Sequence, residues 1–149
     1  MARAKRLRVV TAESCTGGLV SAALTDIPGS SDVFDRGFLT YSYAAKTEML
    51  GVGTELLATH GAVSSEVAQA MAEGALARSD GHLSIAVTGV AGPGASDAKP
   101  EGMVWFAVAN GAQTATKRQD FGPLGRANVR SASVDFALDF AAQILGRTL

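Results

Sequence analysis

A single cysteine and two histidines leave this chain of 149 residues poor in soft metal ligands. Cys15 has no partner for an internal disulfide, and no HExxH, CxxC or EF-hand pattern occurs, so no metal site of those kinds is expected. Charge of one sign is lacking too: thirteen Lys and Arg stand against fourteen Asp and Glu, for a net charge of −1. Such a balance does not mark a nucleic-acid binder. The locally basic start, MARAKRLR, reads as a solvated lead-in to a strand. No run approaches the ~18 consecutive apolar residues of a membrane span. Nor does a signal-peptide core follow the basic start, because Leu7, Val9 and Val10 give way to polar Thr11. The expected setting is cytoplasmic, with neither membrane nor nucleic acid as partner. GxSxG and the GK[ST] of a Walker A loop are missing, which removes two familiar signatures of nucleophilic and phosphate-binding sites.

What is present describes a folded α/β protein. Apolar residues make up 47% of the chain, and its length suits one domain with a substantial core. Residues 7–10 read as a strand that ends in the polar, glycine-bearing turn TAESCTGG, followed by a helix over 19–27. The aromatic run at 37–43 reads as the second strand, and 44–50 as the start of a helix. Residues 52–61 read as a short connection. SSEVAQAMAEGALARSD follows as an amphipathic helix with Ser64 or Ser65 as its cap. Strands are expected at 82–88, 103–109 and 114–121, the last pair forming a hairpin through Asn110-Gly111 with the more polar 114–121 nearer the edge. A long helix over 126–145 closes the chain. The alternation predicts a single-domain three-layer α/β/α sandwich with a mixed sheet, spanning residues 1–149.

Candidate chemistry concentrates in PGSSDVFDRGFLTYSYAAKTEMLG, residues 28–51. Ser31, Tyr41 and Lys46 supply a hydroxyl to attack, a phenol and an amine to take its proton. Lys46 falls in the first turn of its helix, where the helix dipole disfavours an ammonium. A second feature is the strand-to-helix turn at 14–18, the kind of place where free N–H groups hold an anion. A third is the loop after Thr88. Gly89, Gly92 and Gly94 are spaced G-x-x-G-x-G, the reverse of the dinucleotide fingerprint, yet they allow close backbone approach to a ligand. Spacing alone leaves two readings open: a Ser/Lys-type hydrolase, or a small-ligand binding module.

Four stretches in order, TAESCTGG, DIPGSSDVFDRGFLTYSYAAKTEMLGV, HGAVSSEVAQAMAEGAL and AVTGVAGPGASDAKPEGMVWFAV, resemble the C-terminal domain of the CinA (competence/damage-inducible) family, over residues 9–130. The resemblance implies a nicotinamide-nucleotide amidohydrolase in its stand-alone form. The implied reaction converts nicotinamide mononucleotide to nicotinate mononucleotide and ammonia, in pyridine nucleotide salvage and without a cofactor. Carried over by motif, the nucleophile falls on Ser31, with Tyr41 and Lys46 on the Tyr-Ser-x-x-x-Lys pattern. The substrate-binding set falls on Thr88, Gly89, Gly92, Ser14 and Gly17, with Arg126, or alternatively Arg130, for the phosphate. Tyr43 stands where the family often has asparagine. A homo-oligomer, such as a dimer, is also implied. The competing expectations are a nucleotide-binding module without turnover and an amidohydrolase for another small amide.

Overall fold

Short runs of apolar and β-branched residues pair into one five-stranded sheet in the computed structural model, which describes residues 1–147. The strands are β1 (Val9–Glu13), β2 (Phe34–Leu39), β3 (Leu83–Gly89), β4 (Met103–Ala109) and β5 (Thr114–Asp120), in the order β2-β1-β3-β4-β5. β1 lies parallel to both β2 and β3, and β4 and β5 continue antiparallel, so the sheet is mixed. The helices are α1 (Leu19–Thr25), α2 (Tyr43–Leu50), α3 (Thr54–His60), α4 (Ser65–Ala77) and α5 (Arg126–Arg147).

The two-residue period of the strands divides their side chains between two cores. Leu83, Ile85, Val87, Val104, Phe106 and Val108 pack with Val20 of α1 and with Val129, Phe140 and Ile144 of α5. On the other face Ala12, Ala86, Ala107 and Ala109 meet Leu50 of α2, Leu57 of α3 and Val67, Met71 and Ala75 of α4. Small strand residues there let α4 lie close to the sheet. The α5 face carries the bulk instead, with Phe106 and Phe136 ring centroids 4.6 Å apart. The result is a three-layer α/β/α sandwich. Each large apolar side chain buried this way contributes about 1.5–3 kcal/mol.

Three local expectations give way. The second strand is β2, which ends at Leu39, because the Ser42 side chain accepts from Ala45 N at 3.0 Å and turns Tyr43 into the first residue of α2. β2 lies at a sheet edge, where Asp35 and Arg36 are tolerated as an ion pair of 2.6 Å and so mask the strand pattern. The connection at 52–61 contains α3, bounded by Gly53 and Gly61 and anchored by buried Leu57. β1 runs on through Thr11 and Glu13, polar residues that are nonetheless buried. Among the described residues no helix is long and apolar enough to cross a membrane.

Connection order makes one end of β1 special. The chain leaves β1 through α1 to reach β2 on one side, then returns through α2, α3 and α4 to β3 on the other. The two crossovers lie on opposite faces of the sheet and part beyond the carboxyl end of β1, which is where open α/β sheets bind ligands.

Candidate active site

At that end of β1, Glu13 points its carboxylate into the start of α1. Oε2 accepts from Thr16 Oγ1 at 2.6 Å, Gly18 N at 3.1 Å and Val20 N at 3.0 Å; Oε1 accepts from Ser21 N at 2.8 Å and Ser21 Oγ at 2.7 Å. An internal anion therefore occupies the free N–H groups of the helix start, which the sequence pattern had offered to a phosphate. The following turn is held as firmly. Ser14 N donates to Val87 O at 3.0 Å and Gly17 N to Ser14 O at 3.0 Å. Arg130 of α5 donates to Cys15 O at 3.1 Å and Thr16 O at 3.2 Å. Gly17 has φ +59°, and a Cβ there would lie 3.0 Å from Arg130 Nη2. Gly17 and Arg130 thus build the turn from behind, and neither lines the cavity in front of it.

Lys46 enters the same place from α2 and is fully buried. Its Nζ lies 2.7 Å from Thr40 O, 3.2 Å from Tyr41 O and 3.0 Å from Ser14 Oγ. Burial pushes its pKa down from the ordinary 10.5 to about 8, while the neighbouring Cys15 and Asp97 pull weakly the other way. A neutral amine has two N–H donors and one lone pair. Two carbonyls match the donors, which leaves the lone pair for the Ser14 hydroxyl. Cys15 is no rival nucleophile, because burial pushes its thiol up to about 12. The histidines are engaged elsewhere: His60 pairs with Glu66 at 3.7 Å, and His82 Nδ1 accepts from Arg8 N at 3.0 Å.

Ser14 and Lys46 form the deep end of a cavity of about 480 Å³ whose walls include Tyr41, Tyr43, Ala62, residues 88–97 and Arg126. Tyr41, 58% exposed, marks its open side. There Arg126 Nη2 donates to Tyr41 Oη at 2.8 Å and Nη1 to Gly92 O at 2.7 Å. Thr88 Oγ1 donates to Ala62 O at 2.8 Å, tying β3 to the turn between α3 and α4. Among the described residues no cluster of three or more His, Cys, Asp or Glu is arranged to hold a metal ion.

The structure thus gathers Ser14, Tyr41, Lys46, Thr88, Gly89, Gly92 and Arg126 around one space. Ser31 is not among them, and this corrects the expectation of a Ser31–Tyr41–Lys46 cluster. It sits exposed in a short 3-10 helix, Ser30–Asp32, before β2, whereas Tyr41 and Lys46 follow the far end of that strand. Six residues of strand at ~3.3 Å each put about 20 Å between them. Ser14 takes the place beside Lys46 because parallel pairing of β1 and β2 brings their carboxyl ends together. Glu13 and Asp97 carried no sequence signal of their own. The TAESC turn did, but as an anion site.

Comparison with known proteins places the arrangement in context. Residues 1–145 match the family described as the CinA C-terminal domain. The chain is 48% identical over 138 residues to a Pseudomonas putida protein described as nicotinamide-nucleotide amidohydrolase PncC, covering 92% of this chain and 86% of that one. It is 53% identical over 113 residues to a CinA-like protein of Akkermansia muciniphila, covering 74% of this chain and 27% of that protein. Several curated relatives are thus much longer, and the chain spans about a quarter of their length (26–27%). Among solved structures, the competence/damage inducible protein CihA of Agrobacterium tumefaciens superposes with a TM-score of 0.92 at 49% identity, covering 95% of this chain and 87% of that one. A CinA superfamily protein of Klebsiella pneumoniae 700603 superposes with a TM-score of 0.94 at 37% identity, covering 98% and 91%.

Proposed function

We propose that this chain, which belongs to the CinA C-terminal domain family, hydrolyses the carboxamide of nicotinamide mononucleotide, with Ser14 as nucleophile and Lys46 as its base. The observation that carries the reading is the buried 3.0 Å contact between Lys46 Nζ and Ser14 Oγ. The Pseudomonas putida relative described as a nicotinamide-nucleotide amidohydrolase supports the reaction class.

An amide is a poor electrophile with a poor leaving group, so a hydroxyl must be activated and the departing nitrogen protonated. Ser14 Oγ attacks the carboxamide carbon as its proton passes to Lys46 Nζ. The resulting ammonium then gives that proton to the nitrogen, the C–N bond breaks and ammonia leaves. Water attacks the acyl-serine with Lys46 again as base, releasing the carboxylate and restoring Ser14.

At the open side Arg126 is assigned to the phosphate, as a guanidinium suits a dianion. Tyr41 buttresses Arg126 through its hydroxyl and does not relay the proton of Lys46. The cavity of about 480 Å³ falls within the roughly 300–1,000 Å³ usual for small-ligand sites.

Ammonia release from nicotinamide mononucleotide, with free nicotinamide as control, tests the proposal. Loss of a charged contact worth about 1.5–3 kcal/mol predicts a kcat/KM at least about tenfold lower for nicotinamide. Calorimetric binding of the nucleotide without any ammonia would overturn the reading in favour of a binding module.

A further inference from the structure

The loop between β3 and β4 forms one whole wall of the cavity through residues 89–97, yet little holds its outer part. Near β3 the loop is tied by Arg126 Nη1 to Gly92 O at 2.7 Å and by Gly94 N to Glu101 Oε2 at 3.1 Å. Further out the chain turns through Asp97 at φ 51° and Ala98 at φ 58°, left-handed conformations that a residue with a Cβ adopts at a cost. Ser96 and Lys99 pair with each other there, N to O at 3.0 and 2.8 Å. Among the described residues, the hydrogen bond from outside the loop to residues 95–99 comes from Tyr43, whose Oη donates to Asp97 Oδ2 at 2.7 Å.

The same hydroxyl accepts from Ala62 N at 3.1 Å, and Ala62 O accepts from Thr88 Oγ1 at 2.8 Å. One phenol therefore joins three walls of the cavity: the start of α2, the turn between α3 and α4, and the loop. Burial and the bond to Asp97 both raise the pKa of Tyr43, so it remains a donor.

We propose that Tyr43 and Asp97 form a latch that keeps residues 95–99 closed over the cavity, which makes Tyr43 a positioning residue for ligand retention. The latch acts on the wall beside the ligand and makes no hydrogen bond to Ser14 or to the amine of Lys46, although the Asp97 charge raises the pKa of that amine. Its loss weakens binding more than turnover. The kinetic arm of the test rests on the reaction proposed above; the exchange arm does not.

Tyr43→Phe keeps the ring and removes the hydroxyl. Asp97→Gly removes the acceptor while suiting the left-handed backbone, and Asp97→Asn keeps both an acceptor oxygen and a tolerance for that backbone. In hydrogen exchange, Tyr43→Phe and Asp97→Gly are expected to speed exchange at Ser96 and Lys99 about tenfold, with α4 unchanged, and Asp97→Asn less. In ammonia release above pH 8, where Lys46 is neutral with or without the Asp97 charge, both raise KM about tenfold with kcat within about twofold, and the double variant is no worse than either alone. Unchanged exchange at Ser96 and Lys99 in both variants overturns the latch, as does an additive double variant. A lower melting temperature with normal exchange marks Tyr43 as a structural residue only, and also overturns it. If Tyr43→Phe does not fold, exposed Asp97 carries the test. If the unaltered protein releases no ammonia, the proposed reaction fails and the exchange arm still decides the latch.

Discussion

Lys46 shows how a residue's surroundings decide its chemistry. Its place in the first turn of α2 would itself disfavour an ammonium, but the larger cause is that the side chain is fully buried and has lost its water. Two carbonyls partly replace that water, and the balance still falls to about 8. The sign of the pH dependence follows. Below that value Lys46 carries its proton and cannot take one from Ser14; above it the amine is free. The log of kcat/KM should therefore rise with a slope of about one per pH unit and level off near pH 8. A pH–rate profile of the unaltered protein checks this, and a flat profile or one that falls through that range would exclude Lys46 as base. Lysine, tyrosine and arginine were visible in the sequence as chemistry-bearing residues. The partner of the lysine was not, because Ser14 and Lys46 are 32 residues apart and meet only through the pairing of β1 with β2.

At the scale of elements, α2 must be seated accurately because it carries Lys46. Its last residue, Leu50, presents its carbonyl to Gly74 of α4, where an added Cβ would collide with that oxygen. Alanine normally gains about 1 kcal/mol over glycine inside a helix. Here the clash is with backbone, which cannot swing aside, and overpacking of this kind costs about 1–3 kcal/mol or more. Gly74→Ala is thus expected to lower stability in urea melts by about 2 kcal/mol and to reduce activity by displacing α2. A stability gain would show that the two helices have room to part. Legibility differed among elements for similar physical reasons. β4 was readable to the residue, Met103–Ala109, because an apolar run between turns has few alternatives. α4 was plain from its apolar stripe and its cap, Ser64 Oγ accepting from Val67 N at 3.3 Å. α3 was hidden by its seven-residue length. β2 was hidden by the charged pair that an edge strand tolerates, while the aromatic run beside it drew the strand too far toward Tyr43.

Across the whole molecule, the sheet has an end that bears the cavity and an opposite, supporting end. Ser14, Lys46, Thr88 and Arg126 come from segments far apart in sequence, and all gather where the crossovers from β1 and β2 part. The Ser30–Asp32 helix lies at the start of β2, the opposite end, among the contacts of α1 and β2. Local clustering made Ser31 look catalytic, yet a strand is a rod that carries its two ends apart. The polarity of the sheet therefore makes opposite demands on two serines. The most direct test is ammonia release from nicotinamide mononucleotide by Ser14→Ala and Ser31→Ala side by side. Ser14→Ala should lose at least about a thousandfold in kcat while Ser31→Ala stays within about twofold of the unaltered protein. Activity that survives in Ser14→Ala and vanishes in Ser31→Ala would contradict the account.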